Sequence, residues 1–170
     1  MKKVFIGGSR KISKINSEIK KRIDNIIKQN FTIFIGDANG VDKSVQKYLI
    51  LKEYNNVYVF CTGDKCRNNV GEWDVRYIET NLSRKGYDYY VLKDIEMAKE
   101  ADYGLMIWDG KSRGTLNNVM NLITYNKKCL LFVTIDNAFY NIRSVNDVQS
   151  LFSKYHEIKR EIFLPILSPS

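Results

Sequence analysis

The feature that most constrains this chain is a repeated alternation. Short apolar runs are followed by glycine-bearing loops, and then by stretches whose apolar residues recur at helical spacing. Residues 3–7 form the first β-rich run, closed by Gly7 and Gly8. Ile12, Ile15, Ile19, Ile23, Ile26 and Ile27 then mark one face of a helix over 13–29, with Ser13 or Ser17 as N-cap. The same reading gives strands at 31–35, 56–61, 87–92, 103–108 and 128–134. It gives helices at 41–51, 72–83, 94–100, 112–125 and 145–159, and a loop over 62–71. The strands are nearly continuous apolar runs, as expected for strands covered on both faces. Strands alternating with helices predict a parallel sheet between two helical layers. The expected fold class is therefore α/β, a Rossmann-like three-layer arrangement with a mostly parallel central sheet. One domain over 1–170 is expected, with an extra C-terminal helical segment from about residue 140. Pro165 and Pro169 fall in a tail expected to be loose.

Length and composition agree. A chain of 170 residues, 44% of them hydrophobic, suffices for one sizeable core. No apolar run reaches the roughly 18 residues of a membrane helix, and the apolar start at Val4–Phe5–Ile6 is too short for a signal peptide. A cytoplasmic protein without membrane partners is the resulting expectation. Cys61, Cys66 and Cys129 form no disulfide framework and no CxxC pair, and read as buried or incidental thiols of a reducing compartment. With His156 as the single histidine, no metal site is expected. Lys plus Arg number 27 against 19 Asp plus Glu, a net charge of +8. The cations are scattered. They suit a solvated surface, a phosphorylated ligand or, as an alternative, nucleic acid.

Three glycine-bearing segments each follow an expected strand, where ligand crevices of open α/β sheets form. Gly7-Gly8-Ser9-Arg10 offers backbone approach, a hydroxyl and a guanidinium to a phosphate. Gly36-Asp37-Ala38-Asn39-Gly40-Val41-Asp42 leads into a helix N-terminus, where free N–H groups favour an anion. There Asp37 and Asp42 read either as cap and turn residues or as groups that hold ribose hydroxyls or act as a base. Asp109-Gly110-Lys111-Ser112-Arg113-Gly114-Thr115, followed by Asn117 and Asn118, supplies charge, hydroxyls and backbone donors. It matches neither the P-loop nor GxGxxG. Arg67, in the long loop after the third strand, is placed to cover a ligand. Trp73 reads as core or as a stacking platform, and Met97 and Ala98 as a helix packed under the sheet.

Together, a strand running into GGSR, then GDANGVD, then WDGKSRGT opening a helix, resemble the SLOG superfamily. The most similar branch is the one related to the YspA and YpsA proteins. The superfamily also holds the cytokinin-activating phosphoribohydrolases and the DNA-processing proteins of natural transformation. The resemblance spans roughly residues 2–133. It implies a Rossmann-like fold whose loops bind a nucleotide or nucleotide-derived small molecule. By position, Gly8, Ser9 and Arg10 match the first loop, Gly36, Asp37, Gly40 and Asp42 the second, and Gly110, Ser112, Gly114 and Thr115 the phosphate loop. Relatives often dimerise, so a homodimer is a further expectation. The phosphoribohydrolases carry a catalytic glutamate after their Gly-Thr, where this chain has Asn117 and Asn118. An amide can hold a hydroxyl but cannot shuttle a proton. The expected function is therefore a sensor or carrier of a nucleotide-like ligand, with no further cofactor. The alternative is an N-glycosidic hydrolase or transferase using Asp37 or Asp42, with Asp109 and Glu72 as further carboxylates.

Overall fold

The computed structural model describes residues 1–155. The elements, in chain order, are β1 (Lys3–Gly8), α1 (Ser17–Lys28), β2 (Thr32–Gly36), α2 (Val41–Leu51), β3 (Val57–Thr62), β4 (Asp74–Ile78), α3 (Tyr87–Glu100), β5 (Tyr103–Trp108), α4 (Arg113–Thr124), β6 (Lys128–Val133), β7 (Ala138–Ile142) and α5 (Val145–Phe152). The seven strands form one sheet in the order β4-β3-β2-β1-β5-β6-β7. All neighbouring pairs are parallel except β6 with β7. This is the expected Rossmann-like three-layer architecture.

Strand alternation builds the two cores. Val4 and Ile6 of β1, with Ile33, Ile35, Val57, Val59, Leu105 and Ile107, meet α1 and α2 on one face. Phe5, Phe34, Phe60, Met106 and Trp108 meet α3, α4 and α5 on the other. α1 is held by Ile19, Ile23 and Ile26 facing inward; its N-cap is neither Ser13 nor Ser17 but Asn16, whose side-chain oxygen accepts from the Ile19 N–H at 3.0 Å. Met97 and Ala98 are fully buried beneath the sheet. No helix among the described residues is long and apolar enough to cross a membrane.

The chain changes helical layer after β4. β1 leads through α1 and α2 toward one edge, and α3 returns on the opposite face to place β5 beside β1. The carboxyl ends of β1 and β5 thus flank the point where strand order reverses, the usual crevice of such sheets.

Four local expectations are corrected. The run 87–92 is the first part of α3, not a strand, and joins 94–100 in one helix. Its inward residues Tyr89, Lys93 and Met97 are four apart, and the lysine in the middle of this stripe hid the helical period. The helix expected over 72–83 contains β4 instead. β4 pairs only with β3, and Val75 and Ile78 pack on opposite faces, so an edge strand imitates a spacing of three. β7 stands near the start of the segment expected to be helical from about 140, and α5 ends at Phe152. Residues 156–159 of the expected helix, together with Pro165 and Pro169, lie outside the described residues. Finally, Cys61 and Cys66 are joined in a disulfide, with Cα atoms 5.3 Å apart. Cys61 ends deep in β3, and the turn at Gly63 brings the chain back across it (φ +81°). Cys129 is a free, buried thiol, pushed up to about 12 by that burial.

Candidate functional site

A cleft of about 860 Å³ opens at the carboxyl ends of β1 and β5, within the size range of small-molecule sites. Of the residues singled out in the sequence, Gly8, Arg10, Asp42, Asp109, Lys111, Ser112, Gly114, Thr115 and Asn118 line it. Ser9, Gly36, Asp37, Gly40, Gly110 and Arg67 do not, and each has a different task.

Ser9 is buried and ties the loops together. Its N–H donates to the Ile107 carbonyl at 3.0 Å, its carbonyl accepts from Val41 N–H at 3.1 Å, and its hydroxyl accepts from Asp109 N–H at 3.3 Å. Gly40, at φ +83°, lies behind the first loop, where a Cβ would come within 2.3 Å of the Arg10 carbonyl oxygen. Gly36 makes room for charge: a Cβ there would lie 2.5 Å from Asp42 Oδ2 and 2.8 Å from Lys93 Nζ. Gly110, at φ +82°, turns the loop after Asp109. Asp37 is occupied by Arg67, whose Nη2 lies 2.6 Å from Oδ1 and whose backbone N–H donates to Oδ2 at 2.9 Å. Burial pushes the Asp37 carboxyl up, but these bonds to Arg67 outweigh it and hold it below the usual carboxylate range. Arg67 also lies over the Tyr90 ring, 3.9 Å from its centroid, and so braces the wall of the cleft. Trp73 is core, its indole N–H donating to the Tyr54 carbonyl at 3.0 Å. Glu72 is exposed and does not line the cleft.

The floor of the cleft is a charge cluster of Lys93, Asp94 and Asp42, of which the sequence reading named only Asp42. Lys93 is 3% exposed and donates to Asp94 Oδ1 at 2.5 Å. Burial alone would lower its ammonium pKa, but the carboxylates of Asp94 and Asp42 raise it, so Lys93 stays charged. Asp42 accepts from the Ala38 N–H at 3.1 Å. Burial dominates there and, with Lys93 opposing and Asp94 reinforcing, raises its carboxyl to about 6. The only signal in the sequence was the four-residue spacing of Tyr89, Lys93 and Met97. Once 87–92 is read as a strand, Tyr87, Tyr90, Lys93 and Asp94 are lost from the site together.

The rim is cationic. Arg10, Lys11, Lys85, Lys111 and Arg113 line the opening and are exposed, and none of them is ion-paired among the described residues. The loop after β5 is pre-shaped. Asp109 Oδ1 accepts from the N–H groups of Lys111 and Ser112 at 2.9 and 2.8 Å, and Trp108 donates to the Ser112 carbonyl at 3.1 Å. Burial raises the Asp109 carboxyl, but those two amides bring it below the usual range. Ser112 caps α4 by accepting from Thr115 N–H at 3.3 Å. The N–H groups of Arg113 and Gly114, in the same first turn, have no intrahelical acceptor. One turn further, Asn118 lines the cleft, is 7% exposed, and its Oδ1 has no hydrogen-bond partner among the described residues. A buried amide oxygen left unpaired costs about 1–3 kcal/mol unless something donates to it.

The arrangement can take an anion at the mouth of α4 and a donor-bearing group, such as a hydroxyl or an amine, against Asn118, Asp42 and Asp94. Among the described residues no three His, Cys, Asp or Glu side chains group as a metal site would require. No family model matches the chain, and no curated protein matches it.

Proposed function

We propose that the cleft binds a phosphorylated nucleoside or a close derivative, as a sensor or carrier, and that the chain is a member of the SLOG superfamily. The observation that carries the reading is the pairing, in one cleft, of an open α4 N-terminus ringed by unpaired cations with the unpartnered, buried oxygen of Asn118. The phosphate sits at Arg113 and Gly114 N–H beside Lys111 and Arg10. The sugar or base turns inward and donates to Asn118. Tyr87 and Tyr90 line the same cleft and offer an aromatic wall.

The test is thermal stabilisation by AMP, ADP-ribose and NAD, with inorganic phosphate as control. A ligand that binds only the folded state stabilises by about 2.7 kcal/mol at a hundred times its Kd. Stabilisation by a nucleotide beyond that by phosphate, lost in Asn118→Leu, is the expected result. No stabilisation by any of the three would overturn the reading.

A second reading is N-glycosidic hydrolysis, and it has its own observation: Asp42 lines the cleft floor beside Lys93, and burial raises its carboxyl to about 6. In that reaction the C1′–N bond breaks with its electron pair going to the base, which takes a proton from Asp42. Water adds at C1′ and gives its proton to Asp94. Release of free base from a bound nucleotide, abolished in Asp42→Asn with binding retained, distinguishes this from simple binding.

A further inference from the structure

The two faces of the sheet are unequally covered. Among the described residues, three helices, α3, α4 and α5, lie on one face of the seven strands, and two, α1 and α2, lie on the other. The shortfall falls over β5, β6 and β7. There Tyr103, Leu130 and Phe139 are only partly buried. With Phe31, stacked 6.3 Å from Tyr103, they floor a groove of about 450 Å³ beside α1. It lies at the amino ends of β5 and β6, so it is separate from the cleft. Among the described residues its charged lining is of one sign: Arg22, Lys128 and Arg143, with no carboxylate. All three cations are exposed, and none is ion-paired among the described residues. Arg22 lies over the Phe139 ring at 5.5 Å.

We propose that this groove docks an acidic amphipathic helix of a partner protein, in the place where a third helix would complete the layer. An apolar floor asks for an apolar stripe, and three unpaired cations ask for carboxylates along its edges. A nucleic acid duplex or a free polyphosphate would meet the cations but leave the aromatic floor wet; a single strand would stack bases on it, and its binding in preference to the acidic helix would overturn the proposal. A second copy of this chain would bring another excess of positive charge, since each carries +8. The chain's own residues 156–170 hold Glu157 and Glu161 against Lys159 and Arg160, which gives no acidic excess.

The probe is a fluorescein-labelled designed helix of about 18 residues, with leucines at i, i+3, i+4 and i+7 spacing and glutamates elsewhere. Its control replaces every glutamate with lysine. Anisotropy with the full chain is expected to show saturable binding of the acidic helix alone, weakening with salt. The double variant Arg22→Glu/Lys128→Glu, at unchanged melting temperature, should weaken it at least tenfold. The cleft variant Lys111→Gln should leave it unchanged. No binding, equal binding of the lysine helix, or indifference to the charge reversal overturns the proposal. So does a tenfold gain in affinity on deleting residues 156–170, which would make the tail the occupant. A sedimenting dimer that Leu130→Lys dissolves would assign the groove to a second copy.

Discussion

The segments 36–42 and 109–115, at the ends of β2 and β5, look alike in sequence, each with two glycines, aspartate and the start of a helix, yet the fold uses them oppositely. The β2 loop is consumed by the protein itself. Gly40 presses on the Arg10 backbone, Asp37 is taken by Arg67, and Asp42 is buried against Lys93. The β5 loop spends only Asp109, Ser112 and the Trp108 indole on its own shape, and leaves two N–H groups and two cations facing the cleft. A glycine-rich loop after a strand is thus a statement about close approach. What approaches, backbone or ligand, is decided by the neighbouring loop.

The largest expected effect breaks the comparison at its glycines. Gly40→Ala places a Cβ within 2.3–2.5 Å of the Arg10 backbone at φ +83°, so a loss of about 3 kcal/mol or more is expected. Gly114→Ala meets nothing nearer than Ser112 Oγ at 4.0 Å. In the first turn of a helix it should be neutral or stabilising by up to about 1 kcal/mol, while narrowing the cleft. Urea unfolding of both variants decides. Equal losses would mean that the two loops are not used differently.

The next effects concern the bracing of the β2 loop. Asp37→Ala removes two hydrogen bonds from Arg67, one of them charged at both ends, and should cost roughly 2–3 kcal/mol. Asp109→Ala removes two amide bonds from a more exposed carboxylate, and a loss nearer about 1 kcal/mol is expected. Behind Arg67, reducing Cys61–Cys66 opens a short loop worth about 2 kcal/mol on the chain-entropy account. Melting with and without dithiothreitol, and with Cys66→Ser, reads it. An oxidised protein no more stable than Cys66→Ser would show that the bridge braces nothing.

The layered fold was legible in the sequence because doubly covered strands are continuous apolar runs and need no partner to be recognised. β4 was not, because an edge strand wets both faces and shows no alternation. α3 was not, because its inward stripe contains Lys93, a charge that the carboxylates of Asp94 and Asp42 make tolerable inside. The site divides in the same way. The α4 loop could be read because its chemistry is local. The floor could not, because Asp42 and Lys93 are 51 positions apart and meet only through the missing side chain of Gly36.

Acid and base separate the two aspartates of the β2 loop. Asp37 is lowered, so its contribution is present above the ordinary carboxylate value and is lost as pH falls through its own lower one. Asp42 is raised, so its contribution is present below 3.8 and is lost as pH rises through about 6. Between those two values the native state binds more protons than the unfolded chain, and stability falls with rising pH. Urea midpoints from about pH 4 to about pH 8 should show that decline in the wild type and a flatter profile in Asp42→Asn. Parallel profiles would mean that Asp42 titrates like an exposed carboxyl.

The smallest effect on stability sharpens the comparison from the β5 side. Lys111 and Arg113 are exposed and make no ion pair among the described residues, so replacing both with glutamine should change unfolding by less than about 0.5 kcal/mol. Their field acts on whatever enters the cleft. If a phosphate sits at the α4 N-terminus, the double variant should bind AMP about tenfold more weakly, and the affinity that remains should depend less on salt. A wild-type affinity in the variant would place the anion elsewhere along the rim, toward Arg10, Lys11 and Lys85, and would leave the open first turn of α4 to water. The two loops would then differ in packing alone. A loss of binding without a loss of stability is what separates a loop kept for a ligand from a loop kept for the fold.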